Sequence, residues 1–301
     1  MTSRTANLLA AMLGRTPDEG ADRPARRRRS WRPVLPFIVI FAGFCLMAVF
    51  APLLAPADPD AQNLLGRLRP PGSDVRGEVF WLGSDELGRD LLSRIIYGAR
   101  VSLFVALLSV LISSVFGTVL GIVAALNRGL VETIIMRLVD IVLSIPAILL
   151  AIITVAVLGP GLQNVIIVLA FTRWPRYARV AYGQTLGLAG QPYVAFARHL
   201  DVGTPRLLVR HILPNIIGPL VVVATLEFGL MVLFESGLSF LGLGVQPPTA
   251  SWGSILSTGR NYVSTAWWIA TFPGVCLFLL ILSVNLIGDH LRDRLDPRSW
   301  R

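Results

Sequence analysis

The 301 residues are 54% hydrophobic and only 15% charged, with a mean hydropathy of +0.66. A soluble protein of this length needs about a quarter of its residues charged, and a disordered chain is poor in apolar residues, so both classes are excluded and much of the chain is solvated by lipid. The net charge of +9 sets 27 arginines, with no lysine, against 18 acidic residues; a basic chain can bind nucleic acid, but arginine gathered in the cytoplasmic loops of a membrane protein is the simpler reading.

Residues 1–35 form an arginine-rich tail with Arg26 to Arg29 in a row. A hydrocarbon core about 30 Å thick needs about 20 apolar residues per helix, and about six such runs follow: 36–56, 101–126, 134–158, 162–182, 216–240 and 267–287. The first lies too deep, with too weak a small-residue site after it, for a cleaved signal peptide. Between the first and second runs, residues 57–100 form a long outer segment, rich at first in Pro and Asp. Its later part predicts a helix capped by Ser84, with Asp85 and Glu86 in the first turn and Arg89 and Arg94 after them. Leu87, Leu91 and Ile95 recur every four residues, as in an amphipathic helix at a membrane interface.

Further on, Pro247 and Pro248 mark a second outer loop, and Trp252, Trp267 and Trp268 suit interfacial depth. Cys45 and Cys276 fall within apolar runs and read as small core residues, neither disulfide nor metal ligand. Six spans put both termini on one side. With the termini inside, 20 arginines face the cytoplasm and 7 the outside, the asymmetry expected of that orientation.

The inner loop around residues 183–214 carries the most pattern. Tyr193, Phe196, Ala197 and Leu200 follow i, i+3, i+4, i+7 and make one apolar stripe on a short helix. Thr204 and Pro205 suit the cap and first position of a second short helix. Leu208 and Ile212 share one face of it, Arg206 and Arg210 another, and Leu213-Pro214-Asn215 end it. Such a pair of helices either packs on the chain's own span ends or docks in the cleft of a cytoplasmic partner; the pattern leaves both open.

The machinery of catalysis is missing from the sequence. No GxxxxGK[ST] phosphate loop is possible without lysine. His199, His211 and His290 make no metal-ligand cluster, HExxH is absent, and there is no GxSxG elbow. Arg173, Arg176 and Arg179 flank Trp174-Pro175 at the inner end of the fourth run, where they are expected to snorkel to the interface.

The run Tyr193-Val194-Ala195-Phe196-Ala197-Arg198-His199-Leu200-Asp201, with Gly203 and then Arg210-His211-Ile212-Leu213-Pro214-Asn215, resembles the EAA loop of ABC importer permeases. Its form is that of the dipeptide/oligopeptide/nickel family, "C" subunit type. Trp81 to Asp90 resembles the outer-loop signature of that subtype, Glu235 to Pro248 its segment after the fifth span, and Asn285 to Pro297 its C-terminus. The likeness runs over about residues 36–298. Two positions depart: Ala195 stands where the family has Glu, and Asp201 where it has Gly, with Gly203 two residues later able to serve the turn.

The resemblance implies an all-α membrane protein with about six transmembrane helices, the transmembrane domain of a type I ABC importer, with cytoplasmic N and C termini. It divides the chain into a tail (1–35), a first span plus outer loop with an amphipathic helix (36–95), a core with its coupling loop (96–291) and a second tail (292–301). The implied partners are a second, homologous permease subunit, two cytoplasmic ATPases that bind ATP and Mg, an extracytoplasmic solute-binding protein and the bilayer of the cytoplasmic membrane, with no nucleic acid. The ATPases would dock on Tyr193, Phe196, Ala197, Arg198, Leu200, Asp201, Gly203, Arg210, His211, Leu213 and Pro214. Short peptides are the implied cargo, with nickel chelates or glutathione as alternatives.

An intramembrane carboxylate is a functional candidate. Among Asp140, Glu227, Glu235 and Asp289, Glu227 lies deepest and either lines a translocation path, where it would meet a peptide's amino terminus, or bonds a neighbouring helix. Glu235 and Asp289 read as structural. An ion-coupled carrier using Glu227 or Asp140 as proton site is the alternative from another class.

Overall fold

The computed structural model describes residues 31–192 and 204–295. The chain divides after Pro33, and the helices lie in the unit from Val34 onward.

The first apolar run folds as α1 (Leu35–Val49) and a short α2 (Ala51–Leu54). They are interrupted at Phe50, just before Pro52, which has no N–H to donate. A two-stranded antiparallel hairpin follows, β1 (Ser73–Val75) and β2 (Glu78–Phe80), with Ser73 opposite Phe80. Its turn residues Arg76 and Gly77 both have positive φ, 56° and 86°, as a primed hairpin turn requires.

α3 runs for 36 residues, Leu91–Leu126, and begins later than the sequence suggested. Its cap is Asp90, whose carboxylate accepts from the Ser93 amide (2.8 Å) and hydroxyl (2.7 Å). Ser84 caps nothing: its hydroxyl accepts from the Arg69 amide at 2.8 Å and donates to the Gly66 carbonyl. Gly88, at φ 72°, holds a left-handed turn that interrupts helix before Leu91, and a Cβ there would overlap the Asn63 carbonyl. Leu91 and Ile95 are accordingly helical but buried in the core, not lying on an interface.

Residues 57–90 form a tight knot with Asp85 at its centre. The Asp85 carboxylate accepts from the amides of Leu87 (2.9 Å) and Arg89 (3.0 Å) and pairs with Arg89 Nε at 2.6 Å and Arg94 Nε at 3.4 Å. Arg94 also donates to the Pro59 carbonyl at 3.2 Å, which ties the chain after α2 to the start of α3. Burial, and then the neighbouring Asp85 carboxylate, push the Glu86 carboxyl above the usual carboxylate range, against the pull of Arg89 and Arg94. Asp85→Ala would leave Arg89 and Arg94, both buried, without their shared partner, at a cost of about 3–5 kcal/mol. The expected outcome is rapid proteolysis of the 57–90 segment in the variant under conditions that leave the parent intact.

The third run is bent. α4 (Leu130–Ser144) and α5 (Ala147–Leu158) meet at 95°. Pro146 forces Ile145 out of the helical region, to φ −92° and ψ 132°, because its ring crowds the preceding residue. α6 (Leu162–Ala189) extends past the Tyr182 at which the fourth run was expected to end.

The helix expected to begin at Thr204 does not stop at Leu213-Pro214-Asn215. α7 (Thr204–Leu207) passes through a π-helical turn, Leu208–Ile212, straight into α8 (Leu213–Phe240). Pro214 cannot donate to the carbonyl one turn back, and a widened turn accommodates its ring without breaking the rod. α9 (Trp252–Gly259) is capped by Ser251, and α10 (Trp268–Leu295) closes the described chain.

Among the described residues, three helical stretches are long and apolar enough to cross a bilayer: α3, Leu208–Phe240 and α10. The bent α4–α5 pair makes a fourth if taken as one span. α1 is shorter, at 15 residues, and α6 carries Arg173, Arg176 and Arg179.

The core joins α3 to α6, α8, α9 and α10. At the α3–α6 crossing, Gly117 and Gly121 face α6 so closely that a Cβ on either would overlap the carbonyl of Trp174 or Ala178. This is the small-xxx-small contact that lets membrane helices meet backbone to backbone. Two of the tryptophans assigned to interfacial depth are buried in the core. Trp252 is fully buried, donates to the Ile95 carbonyl at 2.9 Å and meets Phe44 edge-on; Trp268 is buried and donates to the Ser84 carbonyl at 3.1 Å. Trp267 alone of the three is half-exposed.

Candidate functional site

Arg173, Arg176 and Arg179 recur every three residues on α6, so they lie along one side of it. Because α6 continues to Ala189, these residues belong to the helix interior, and snorkelling does not describe all of them. Arg173 is 5% exposed, its Nη1 stands 3.6 Å from Glu227 Oε2, and its guanidinium lies 4.2 Å from the centre of the Phe234 ring. That is cation–π range. Arg176 donates to Glu227 Oε1 at 2.9 Å, with its side chain 52% exposed. Arg179 pairs with Asp140 on α4, both half-exposed. One face of α6 is therefore bound by charge to α8 at one level and to α4 at the next. Beyond them, Tyr182 donates to Glu132 of α4.

Glu227 lies near the middle of the apolar stretch Leu208–Phe240 and is 1% exposed. Both its oxygens face arginines. The alternative of a bond to a neighbouring helix is thus realised, as an ion pair with α6. Glu235, fully buried, accepts from the hydroxyls of Ser102 (2.9 Å), Ser239 (2.8 Å) and Ser236 (3.3 Å) and knots α8 to α3. Asp289 is exposed on α10.

Of the coupling-loop residues, Tyr193, Phe196, Ala197, Arg198, Leu200, Asp201 and Gly203 lie outside the described residues. Arg210 and His211 lie in the π-helical turn, with Arg210 exposed beside exposed Arg206. Leu213 and Pro214 open α8. The buried face is not quite the one the spacing suggested. Leu207 and Ile212, five residues apart as a π turn dictates, are the buried pair, packed with Ile122 of α3, Ala181 of α6 and Ile216, while Leu208 is only partly buried against them. This second half of the loop rests on the chain's own helix ends. The knot around Asp85 leaves an open groove of about 690 Å³ lined by Pro52, Asp58, Asp60, Tyr97, Val101 and Thr249.

Reading the sequence missed the buried pairing of Arg173 and Arg176 with Glu227. The signal was present in the three-residue spacing of the arginines and in a glutamate at mid-span, since a carboxylate there needs a partner.

Two family profiles match the chain. One, described as the N-terminal TM domain of oligopeptide transport permease C, covers residues 35–71, and the other, binding-protein-dependent transport system inner membrane component, covers 117–301. The di/tripeptide transport system permease protein DppC of Pseudomonas aeruginosa is 46% identical over 256 residues, 85% of this chain and 84% of the relative. The probable D,D-dipeptide permease DdpC of Escherichia coli K12 is 41% identical (87% and 86%), and the glutathione permease GsiD of Pectobacterium atrosepticum is 38% identical (90% and 91%). A chain of the MetNI methionine ABC transporter, crystallised in an inward-facing conformation, superposes with a TM-score of 0.56 at 20% identity. The match covers 68% of this chain and 98% of that one, a likeness of fold. The chain belongs to the family of inner membrane components of binding-protein-dependent transport systems.

Proposed function

We propose that the chain is one of two homologous permease subunits of an ATP-driven type I importer that carries dipeptides and other short peptides inward across the cytoplasmic membrane. Two separate ATPases bind ATP and Mg and dock on the inner loop around residues 183–214, and an extracytoplasmic binding protein delivers the peptide to the outer face. Both termini and the tails 1–35 and 292–301 are cytoplasmic, in keeping with 20 of the 27 arginines falling on that side. The peptide cargo rests on the relatives' names and extents; their glutathione member is itself a transporter of a small peptide-like acid.

The observation that carries the mechanism is the unbroken rod from Thr204 to Phe240. A push on the inner loop moves α8 as one body, and Glu227 on α8 holds α6 through Arg173 and Arg176. The loop is thereby linked to mid-membrane in one mechanical step. ATP contributes only through its unequal affinity for the inward- and outward-open states. The ion-coupled alternative would use Glu227 or Asp140, each paired here with an arginine of α6, and gives no reason for a docking loop.

Phe196 lies on the apolar stripe of the loop's first half. Burying such a side chain in a partner's cleft contributes about 1.5–3 kcal/mol, and Phe196→Asp replaces that gain with an unpaired charge. The expected outcome is a variant that inserts and keeps its permease partner but loses ATPase co-purification and uptake together, while Ala195→Glu is tolerated. Retention of the ATPases with normal uptake would show that the stripe packs on the chain's own spans.

A further inference from the structure

We propose that Arg176 is a substrate contact on the translocation path: its guanidinium receives the carboxylate of the passing peptide at mid-membrane, and Glu227 is the positioning residue that aims it. The inference rests on the peptide-permease reading above.

Depth carries the first step. Arg176 reaches Glu227 at 2.9 Å, and Glu227 lies near the middle of Leu208–Phe240. A cationic side chain half-exposed at that level does not face hydrocarbon; charged groups in membrane helices face a water-filled cavity or another charged group.

Charge carries the second. Two arginines share one carboxylate, which leaves one positive charge in excess. Arg173 is sealed in, 5% exposed beneath Phe234, and its Nε makes no hydrogen bond. The surplus is therefore presented by Arg176, whose side chain is 52% exposed. Arg179, farther along the same face, is neutralised by Asp140 and presents no such excess.

Chemistry carries the third. A short peptide with a free C-terminus carries a carboxylate, and a guanidinium fork accepts one in a bidentate, charge-assisted contact. Glu227 itself is 1% exposed with both oxygens on arginines. It is not available to a peptide's amino terminus; it fixes the guanidinium that meets the opposite end.

The test uses the full complex in proteoliposomes with saturating binding protein and dialanine as probe. Arg176→Gln is expected to lose about tenfold or more in dialanine import, with Arg176→Lys recovering most of it. In a Cys45→Ser, Cys276→Ser background, Arg176→Cys is expected to react with a membrane-impermeant cationic thiol reagent, and dialanine cycling to slow that reaction. Unchanged dialanine import by Arg176→Gln would overturn the contact. So would an Arg176→Cys thiol that stays unreactive in the assembled complex, since the residue would then face the second permease. Failure of the unaltered complex to import dialanine would overturn the peptide reading together with the contact, whereas equal import by unaltered and Arg176→Gln complexes overturns the contact alone.

Discussion

Gly117→Leu is expected to abolish recovery of folded protein. At this residue α3 and α6 meet so closely that even one added carbon overlaps the Trp174 carbonyl and crowds Tyr177 Cβ and the Ala178 amide. Backbone cannot yield as a flexible side chain does, so the helices must part along the whole crossing. In a bilayer no hydrophobic force offsets that separation, because lipid tails solvate apolar side chains as well as a helix does; close packing is what holds the helices together. Overpacking costs about 1–3 kcal/mol in a typical core, and a rigid backbone contact repeated one turn later at Gly121 puts this site at the upper end or beyond. Gly43→Leu on α1, where a Cβ meets nothing within 4 Å, is the matched control and should behave as the parent. Size-exclusion profiles of the detergent-extracted complex distinguish the two. A monodisperse Gly117→Leu complex at parental yield would mean that α3 and α6 do not cross there.

Glu227→Ala should destabilise the protein by about 3–5 kcal/mol, because it strands a buried arginine without its counter-charge. Arg173 is the partner that matters, since Arg176 can turn to water while Arg173 is enclosed. Replacing both partners with apolar residues, Glu227→Leu with Arg173→Leu, should return much of the lost stability, since a buried ion pair and an apolar pair of similar volume differ little. The measurement is a double-mutant cycle on thermal unfolding of the purified complex. Strict additivity of the two single changes would show that the carboxylate and the guanidinium do not interact.

The apolar runs were legible because lipid imposes a composition on any helix that crosses it; each of the six runs is mostly helical in the structure, the first broken at Phe50 and the third at Ile145 and Pro146. Their ends were less so. The helix expected at Ser84 starts at Asp90 because Asp85 draws the nearby amides into a turn and Gly88 takes a left-handed conformation, neither of which shows in the spacing of Leu87, Leu91 and Ile95. The 95° bend at Pro146 was marked by the proline itself, but apolar content alone read straight through it. Trp252 and Trp268 look like interfacial residues in sequence; only the fold reveals the Ile95 and Ser84 carbonyls that let their indoles be buried.

At the site, the depth of Glu227 was readable from its place in an apolar run. Its partners were not, because pairing α6 with α8 is a tertiary fact, and an arginine read as near a helix end has interface water as an easier destination. The π-helical turn was equally hidden: Leu208 and Ile212 satisfy an ordinary helical period, and widening the turn around Pro214 shifts the buried pair to Leu207 and Ile212.

Reconstituting the two permeases with their ATPases in proteoliposomes, and asking what drives dialanine inward, bears most directly on the role assigned to this chain. With ATP on the cytoplasmic side and loaded binding protein on the other, dialanine should accumulate, and an imposed proton gradient without ATP should move none. Accumulation driven by the proton gradient alone, with neither ATP nor binding protein, would contradict the importer assignment and return Glu227 and Asp140 to consideration as proton sites.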